Sequence, residues 1–127
     1  MNHNLLQNFY SETASTYSKE NSNSFNSTIK LNPDHEIYKG HFQKMAVAPG
    51  VCLIQMIKEI LMLKFQKELI LSEGNNIKFL SLINPKETNI FQIDFATKQI
   101  DTLLEVSANY SNGDKILVKF KGKFRIV

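Results

Sequence analysis

The residue in this chain best placed to move a proton is His41, which lies a short way ahead of Pro49-Gly50. From Gly50 onward the sequence takes on helical spacing. A helix that opens there leaves the backbone N–H groups near Gly50, Val51 and Cys52 without intrahelical acceptors, and its dipole favours negative charge at that end. A histidine beside such a helix end suits general acid–base chemistry on a substrate whose oxygen gains charge in the transition state. The same residues also suit a histidine that hydrogen-bonds its own loop and does no chemistry, and their spacing leaves both readings open. The other histidines are worse placed: His3 is near a terminus, and His35 lies upstream in the approach to the same segment. Further along the helix, Gln55 and Glu59 stand at i and i+4 and share a face.

These side chains need a scaffold. A helix is expected over residues 51–71, with apolar residues at Ile54, Ile57, Leu61 and Phe65, a stripe widened by Leu53, Ile60 and Leu69, and Gly74 just past the end. At ~1.5 Å per residue it would be about 30 Å long. So wide an apolar face needs a broad cover, most simply a sheet. Upstream, Phe9, Ser11, Thr13, Ser15 and Tyr17 alternate, as do Phe25, Ile29 and Leu31, which predicts a hairpin turning near residues 20–23. Asn32-Pro33-Asp34 then breaks the pattern and a loop runs to Pro49. Past Gly74 the period becomes two. Strands are expected from Ile77 and Phe79 toward Leu82, then over residues 90–98, 102–109 and 115–126. The turns between them fall at Asn84-Pro85, at residues 99–101 and at Ser111-Asn112-Gly113-Asp114. The expected architecture is one α+β domain over residues 1–127, an antiparallel sheet of about six strands wrapped around one long central helix.

Composition narrows the function classes. The chain has 127 residues, 43% hydrophobic and 21% charged, which suits one globular domain that folds without disulfides. Its most apolar stretch, residues 51–63, is interrupted by Gln55, Lys58 and Glu59, so no membrane span is expected. The polar first residues resemble no signal peptide, and a single cysteine, Cys52, fits a reducing cytoplasm. The net charge of +3 is spread over scattered lysines, which argues against nucleic acid. Only Lys115, Lys119, Lys121, Lys123 and Arg125 are dense, and their alternation with Val118, Phe120, Phe124 and Ile126 reads as the outer face of a strand. No metal and no cofactor is expected.

The segment Gly40-His41-Phe42 followed by Pro49-Gly50-Val51 resembles the signature of the 3-hydroxyacyl-(acyl carrier protein) dehydratases in identity and spacing. Ile77-Lys78-Phe79-Leu80-Ser81 followed by Pro85 resembles that family's strand and turn after the helix, so the likeness spans roughly residues 33–87. It implies a hot-dog fold, a dimer and an acyl thioester on a phosphopantetheine arm as ligand. It also implies roles. His41 would take the α-proton, the Gly50 N–H would hold the enolate-like oxygen, and the Val47 carbonyl would orient the imidazole. Gln55, from the partner subunit, would hold the β-hydroxyl.

This chain departs from the pattern in two places. Gln43, Lys44 and Ala46 replace a Pro, a Gly and a Pro of the family, which makes the loop less rigid by sequence. Fourteen residues after His41, where the family has a catalytic Glu or Asp, stands Gln55; Glu59 occupies the position that is often Gln. A glutamine can hydrogen-bond a hydroxyl but cannot exchange a proton at neutral pH. Glu59 is therefore either an alternative acid one turn along or a solvated or structurally paired charge.

Three functions compete. The first is a dehydratase acting on an acyl-carrier-protein thioester in fatty-acid or related polyene and lipid biosynthesis. The second, favoured by Gln55, is a non-catalytic acyl-carrier-binding subunit that pairs with an active paralogue. The third is a thioesterase using Glu59. A homodimer or heterodimer is expected in the first two cases, and Lys44 and Lys58 are the candidates for docking an acidic carrier.

Overall fold

The computed structural model describes residues 8–17, 23–38 and 47–127. His3, His41, Lys44 and residues 18–22 of the expected first hairpin lie outside them. The elements are β1 (Tyr10–Tyr17), β2 (Ser24–Leu31), a 3-10 turn (Glu36–Tyr38), α1 (Gly50–Phe65), β3 (Leu69–Phe79), β4 (Ile90–Ile100), β5 (Leu103–Asn112) and β6 (Lys115–Ile126). The strands form one antiparallel sheet in the order β1-β2-β4-β5-β6-β3. The chain leaves β2 near one edge, passes through α1 and re-enters the sheet at the opposite edge as β3. One helix with a six-stranded antiparallel sheet fits the hot-dog fold that the motif implies.

Period-two patterning explains the strands. In β4, Phe91, Ile93, Phe95 and Thr97 are buried while Gln92, Asp94, Ala96 and Lys98 face solvent. In β5, Leu104, Val106, Ala108 and Tyr110 point inward. In β6, Val118, Phe120 and Phe124 are buried and Lys119, Lys121 and Arg125 are exposed, so the dense basic run is the outer face of a strand. The β5–β6 hairpin turns at Gly113 with φ +60°, a conformation that suits glycine. Gly122 pairs with Gly74 across β6 and β3, where the register shifts. A Cβ on Gly122 would run into the Glu73 carbonyl oxygen and come within 2.8 Å of the Phe120 ring, so this crossing admits only glycine. Against the inner face α1 buries Cys52, Leu53, Met56, Ile57, Ile60 and Leu61, at the spacing of one helix face. Tyr110, fully buried in β5, ties the layers together by donating its hydroxyl hydrogen to the Leu53 carbonyl.

The helix is shorter than its sequence pattern predicts. It ends at Phe65, and Gln66 adopts the left-handed conformation, φ 52°, with its N–H on the Met62 carbonyl. Sixteen residues make it about 24 Å long rather than about 30 Å. Leu69 is buried, as the helical stripe required, but as the first residue of β3 paired with Ile126. Gly74 does not terminate the helix; it lies inside β3. The expected strand near Ile77 is therefore the second half of a longer one, and it stops at Phe79 instead of reaching Leu82. Among the described residues no helix is long and apolar enough to cross a membrane.

Three phenols wholly or partly buried in the fold make its stability sensitive to alkali. Burial raises the Tyr38 pKa to about 12 and, as the leading cause, pushes Tyr10 and Tyr110 far above the ordinary value of 10. A raised folded-state pKa means stability that is complete below pH 10 and lost as the unfolded chain ionises above it. Each such tyrosine costs ~1.4 kcal/mol per pH unit within that window. Urea midpoints are expected to fall steeply between about pH 10 and 12, with phenolate absorbance of these three residues rising only as the chain unfolds. Their ionisation near pH 10 with the fold intact would contradict the burial assigned here.

Candidate functional site

The start of α1 is built as the sequence suggests. Pro49 is the N-cap in an extended conformation with no side-chain cap, and its carbonyl accepts the Cys52 and Leu53 N–H groups at 3.0 and 3.2 Å. The Gly50 and Val51 N–H groups precede these bonds and have no acceptor within the helix. Two contacts fix this end in space. The Ala48 N–H donates to the Ile83 carbonyl at 2.8 Å. The Phe79 ring, at the end of β3, packs on Gly50 so closely that a Cβ there would stand 2.9 Å from Phe79 Cζ. A side chain at position 50 would have to displace the half-exposed Phe79 ring. Val47, whose carbonyl the resemblance gives a role, lies half-buried in the segment leading to Pro49.

Gln55 and Glu59 are brought together. Gln55 Nε2 donates to Glu59 Oε2 at 3.2 Å, and Tyr10 donates its hydroxyl hydrogen to Glu59 Oε1 at 3.0 Å. Glu59 is only 3% exposed, which excludes the solvated-charge reading of this residue. The Tyr10 pKa is raised by burial first and then by the Glu59 charge, so its hydroxyl stays a donor at neutral pH. Burial, with Glu59 as the smaller cause, also pushes the Cys52 thiol up, which keeps this buried cysteine protonated and unreactive.

Tyr10 and Glu59 form part of the wall of a cavity of about 300 Å³ at the C-terminal half of α1, continued by Met62, Leu63 and Gln66. Glu59 lies about 13 Å along the helix from Gly50. The carboxylate therefore belongs to a different stretch of the helix from the N-terminal donors, and Gln55 stands between the two. Lys58 is half-buried on the same helix.

Of the other groups near the motif, His35 serves the framework. Its Nδ1 accepts the Ile37 N–H at 3.1 Å and its ring packs edge-on against Phe9, 5.4 Å between centroids. Phe9 stacks in turn on Tyr38, whose hydroxyl is buried and has no hydrogen-bond partner among the described residues. The residues that sequence reasoning missed are Tyr10 and Phe79 as site neighbours. Tyr10 belongs to a weakly patterned strand far from α1 in the chain, and only strand placement sets it against Glu59. Phe79 was visible as part of the strand motif, but its contact with Gly50 depends on the crossover that returns the chain to the far sheet edge.

The family model described as ApeI-like, ApeI dehydratase, matches residues 17–121. No curated protein matches the chain. Solved structures with a similar fold include the dehydratase heterocomplex ApeI:P from Xenorhabdus doucetiae, with TM-score 0.71, 17% identity, and coverage of 91% of this chain and 96% of that one. An uncharacterized protein from Erwinia carotovora subsp. atroseptica aligns with TM-score 0.65 and 19% identity over 93% of this chain and 95% of its own. A conserved protein from Pseudomonas aeruginosa aligns with TM-score 0.64 and 13% identity, covering 95% of this chain and 90% of its own.

Proposed function

The chain belongs to the ApeI-like dehydratase family, and from that premise we propose that it removes water from a 3-hydroxyacyl thioester carried on acyl carrier protein, giving a 2-enoyl thioester. The observation that carries this reading is the motif Gly40-His41-Phe42 and Pro49-Gly50-Val51 within the matched residues, with a helix that opens at Gly50. In the proposed reaction His41 abstracts the α-proton, and the electron pair moves onto the thioester oxygen. The Gly50 N–H at the positive end of α1 supports that charge, and the Val47 carbonyl orients the imidazole. The carbon–carbon double bond then forms as the C–O bond to the β-hydroxyl breaks. His41 returns the proton, so the hydroxyl leaves as water. Gln55 holds that hydroxyl by hydrogen bonding.

One domain spanning residues 1–127, acting as a dimer, is part of the proposal. Its support is the apolar surface on and just beyond the edge strand β3, where Ile70, Leu71, Phe79, Leu80 and Leu82 are exposed. The test is incubation of the chain with a 3-hydroxyacyl carrier thioester, read by mass spectrometry. Loss of one water is expected, and gain of one water when the enoyl thioester is supplied in its place. A second reading, a non-catalytic subunit paired with an active paralogue, is favoured by Gln55 and by the similarity to a dehydratase heterocomplex. It predicts no water loss by this chain alone and a gain when the paralogue is added. Release of free acid and thiol would instead indicate a thioesterase and remove both.

A further inference from the structure

The proposed reaction leaves unanswered what aims the Gln55 amide. A glutamine side chain presents an NH2 group on one side and a carbonyl oxygen on the other, and the two orientations offer a substrate opposite hydrogen-bonding groups. In this chain the choice is made within the fold. A carboxylate only accepts hydrogen bonds, so Glu59 Oε2 selects the orientation in which Gln55 turns Nε2 toward it, at 3.2 Å. The Gln55 carbonyl oxygen and its second N–H then face elsewhere. The carboxylate is itself held from the sheet side: Tyr10 of β1 donates to Glu59 Oε1 at 3.0 Å, and Glu59 is buried. We propose that Tyr10 is a positioning residue that acts through Glu59 to set the orientation of the Gln55 amide.

The two hydrogen bonds of the Tyr10–Glu59–Gln55 chain converge on the carboxylate. The hydroxyl donates to one carboxylate oxygen, and the amide donates to the other. Removing the hydroxyl takes away one restraint on the carboxylate, and through it on Gln55, without touching the substrate. The proton on Tyr10 is secure, because burial and the Glu59 charge both resist its loss. This inference deepens the proposed function and rests on Gln55 facing the substrate there.

Two measurements test it. The first is a double-mutant cycle on turnover of a 3-hydroxyacyl carrier thioester, with Tyr10→Phe, Gln55→Ala and the double variant. Tyr10→Phe is expected to lower kcat about three- to tenfold with KM changed less than about twofold. In the Gln55→Ala background the same substitution is expected to change kcat by less than about twofold. Equal losses in both backgrounds, or no loss in either, would overturn the proposal. The second needs no turnover: NMR of the Gln55 side-chain amide in the folded wild type and in Tyr10→Phe. Well-separated proton shifts that converge in the variant support the assignment, and an unchanged pair of resonances overturns it. A wild type that turns nothing over defeats the proposed function alone, and the amide resonances still decide the role of Tyr10.

Discussion

Replacing His41 with alanine is expected to reduce turnover of a 3-hydroxyacyl thioester by at least about a thousandfold while leaving the melting temperature within about two degrees of the wild type. In the proposed mechanism this one side chain does two jobs, taking the α-proton and returning it to the departing hydroxyl. General acid–base catalysis by a positioned group contributes on the order of 10²–10⁴, and losing both steps together puts the loss in the upper part of that range. Among the described residues the one other histidine offers no substitute. His35 is engaged with the Ile37 N–H and the Phe9 ring. Gln55 cannot exchange a proton at neutral pH. Single-turnover rates on the purified variant, with thermal unfolding run in parallel, give the answer. Near-normal turnover with unchanged stability would remove His41 from the mechanism and direct attention to Glu59.

Tyr110→Ala is expected to have the largest effect on stability, a loss of about 3–5 kcal/mol. Tyr110 is fully buried in β5, its ring lies 5.4 Å from that of Phe91, and its hydroxyl binds the Leu53 carbonyl on α1. Truncation removes a large buried ring, leaves a cavity between sheet and helix, and cuts the hydrogen bond that joins them. Tyr110→Phe keeps the packing and removes only that bond, so a loss of about 1 kcal/mol is expected. Domains of this kind are stable by roughly 5–15 kcal/mol, so the alanine variant approaches the threshold of unfolding and the phenylalanine variant does not. Urea denaturation midpoints measure both. Nearly equal losses in the two variants would mean that the bond, not the ring, secures α1 to the sheet. Because α1 presents Gly50 and Gln55, the alanine variant is also expected to bind acyl ligand more weakly than its folded fraction accounts for.

Much of this protein can be read directly from its residues. Pro49-Gly50 marks where α1 begins, because proline caps the helix and the next residues carry the apolar stripe. The alternation in residues 90–98 and 115–126, with Gly113 between strands, identifies β4, β6 and the last hairpin, because one face of each strand is buried. The motif around His41 named the family that the later match supports. The end of α1 was not legible. Residues 66–71 continue good helix formers, and Leu69 extends the apolar stripe, yet pairing of Leu69 with Ile126 draws the chain into β3. Local propensity worth tenths of a kcal/mol per residue yields to a long strand pairing that buries the same leucine. The exchanged pair shows the same division. Spacing placed Gln55 and Glu59 on one face of the helix, because i and i+4 are neighbours on any helix. Only the tertiary structure decided that Tyr10 of a distant strand meets Glu59, because sheet order, which no local pattern encodes, sets which strand lies beneath that turn of α1.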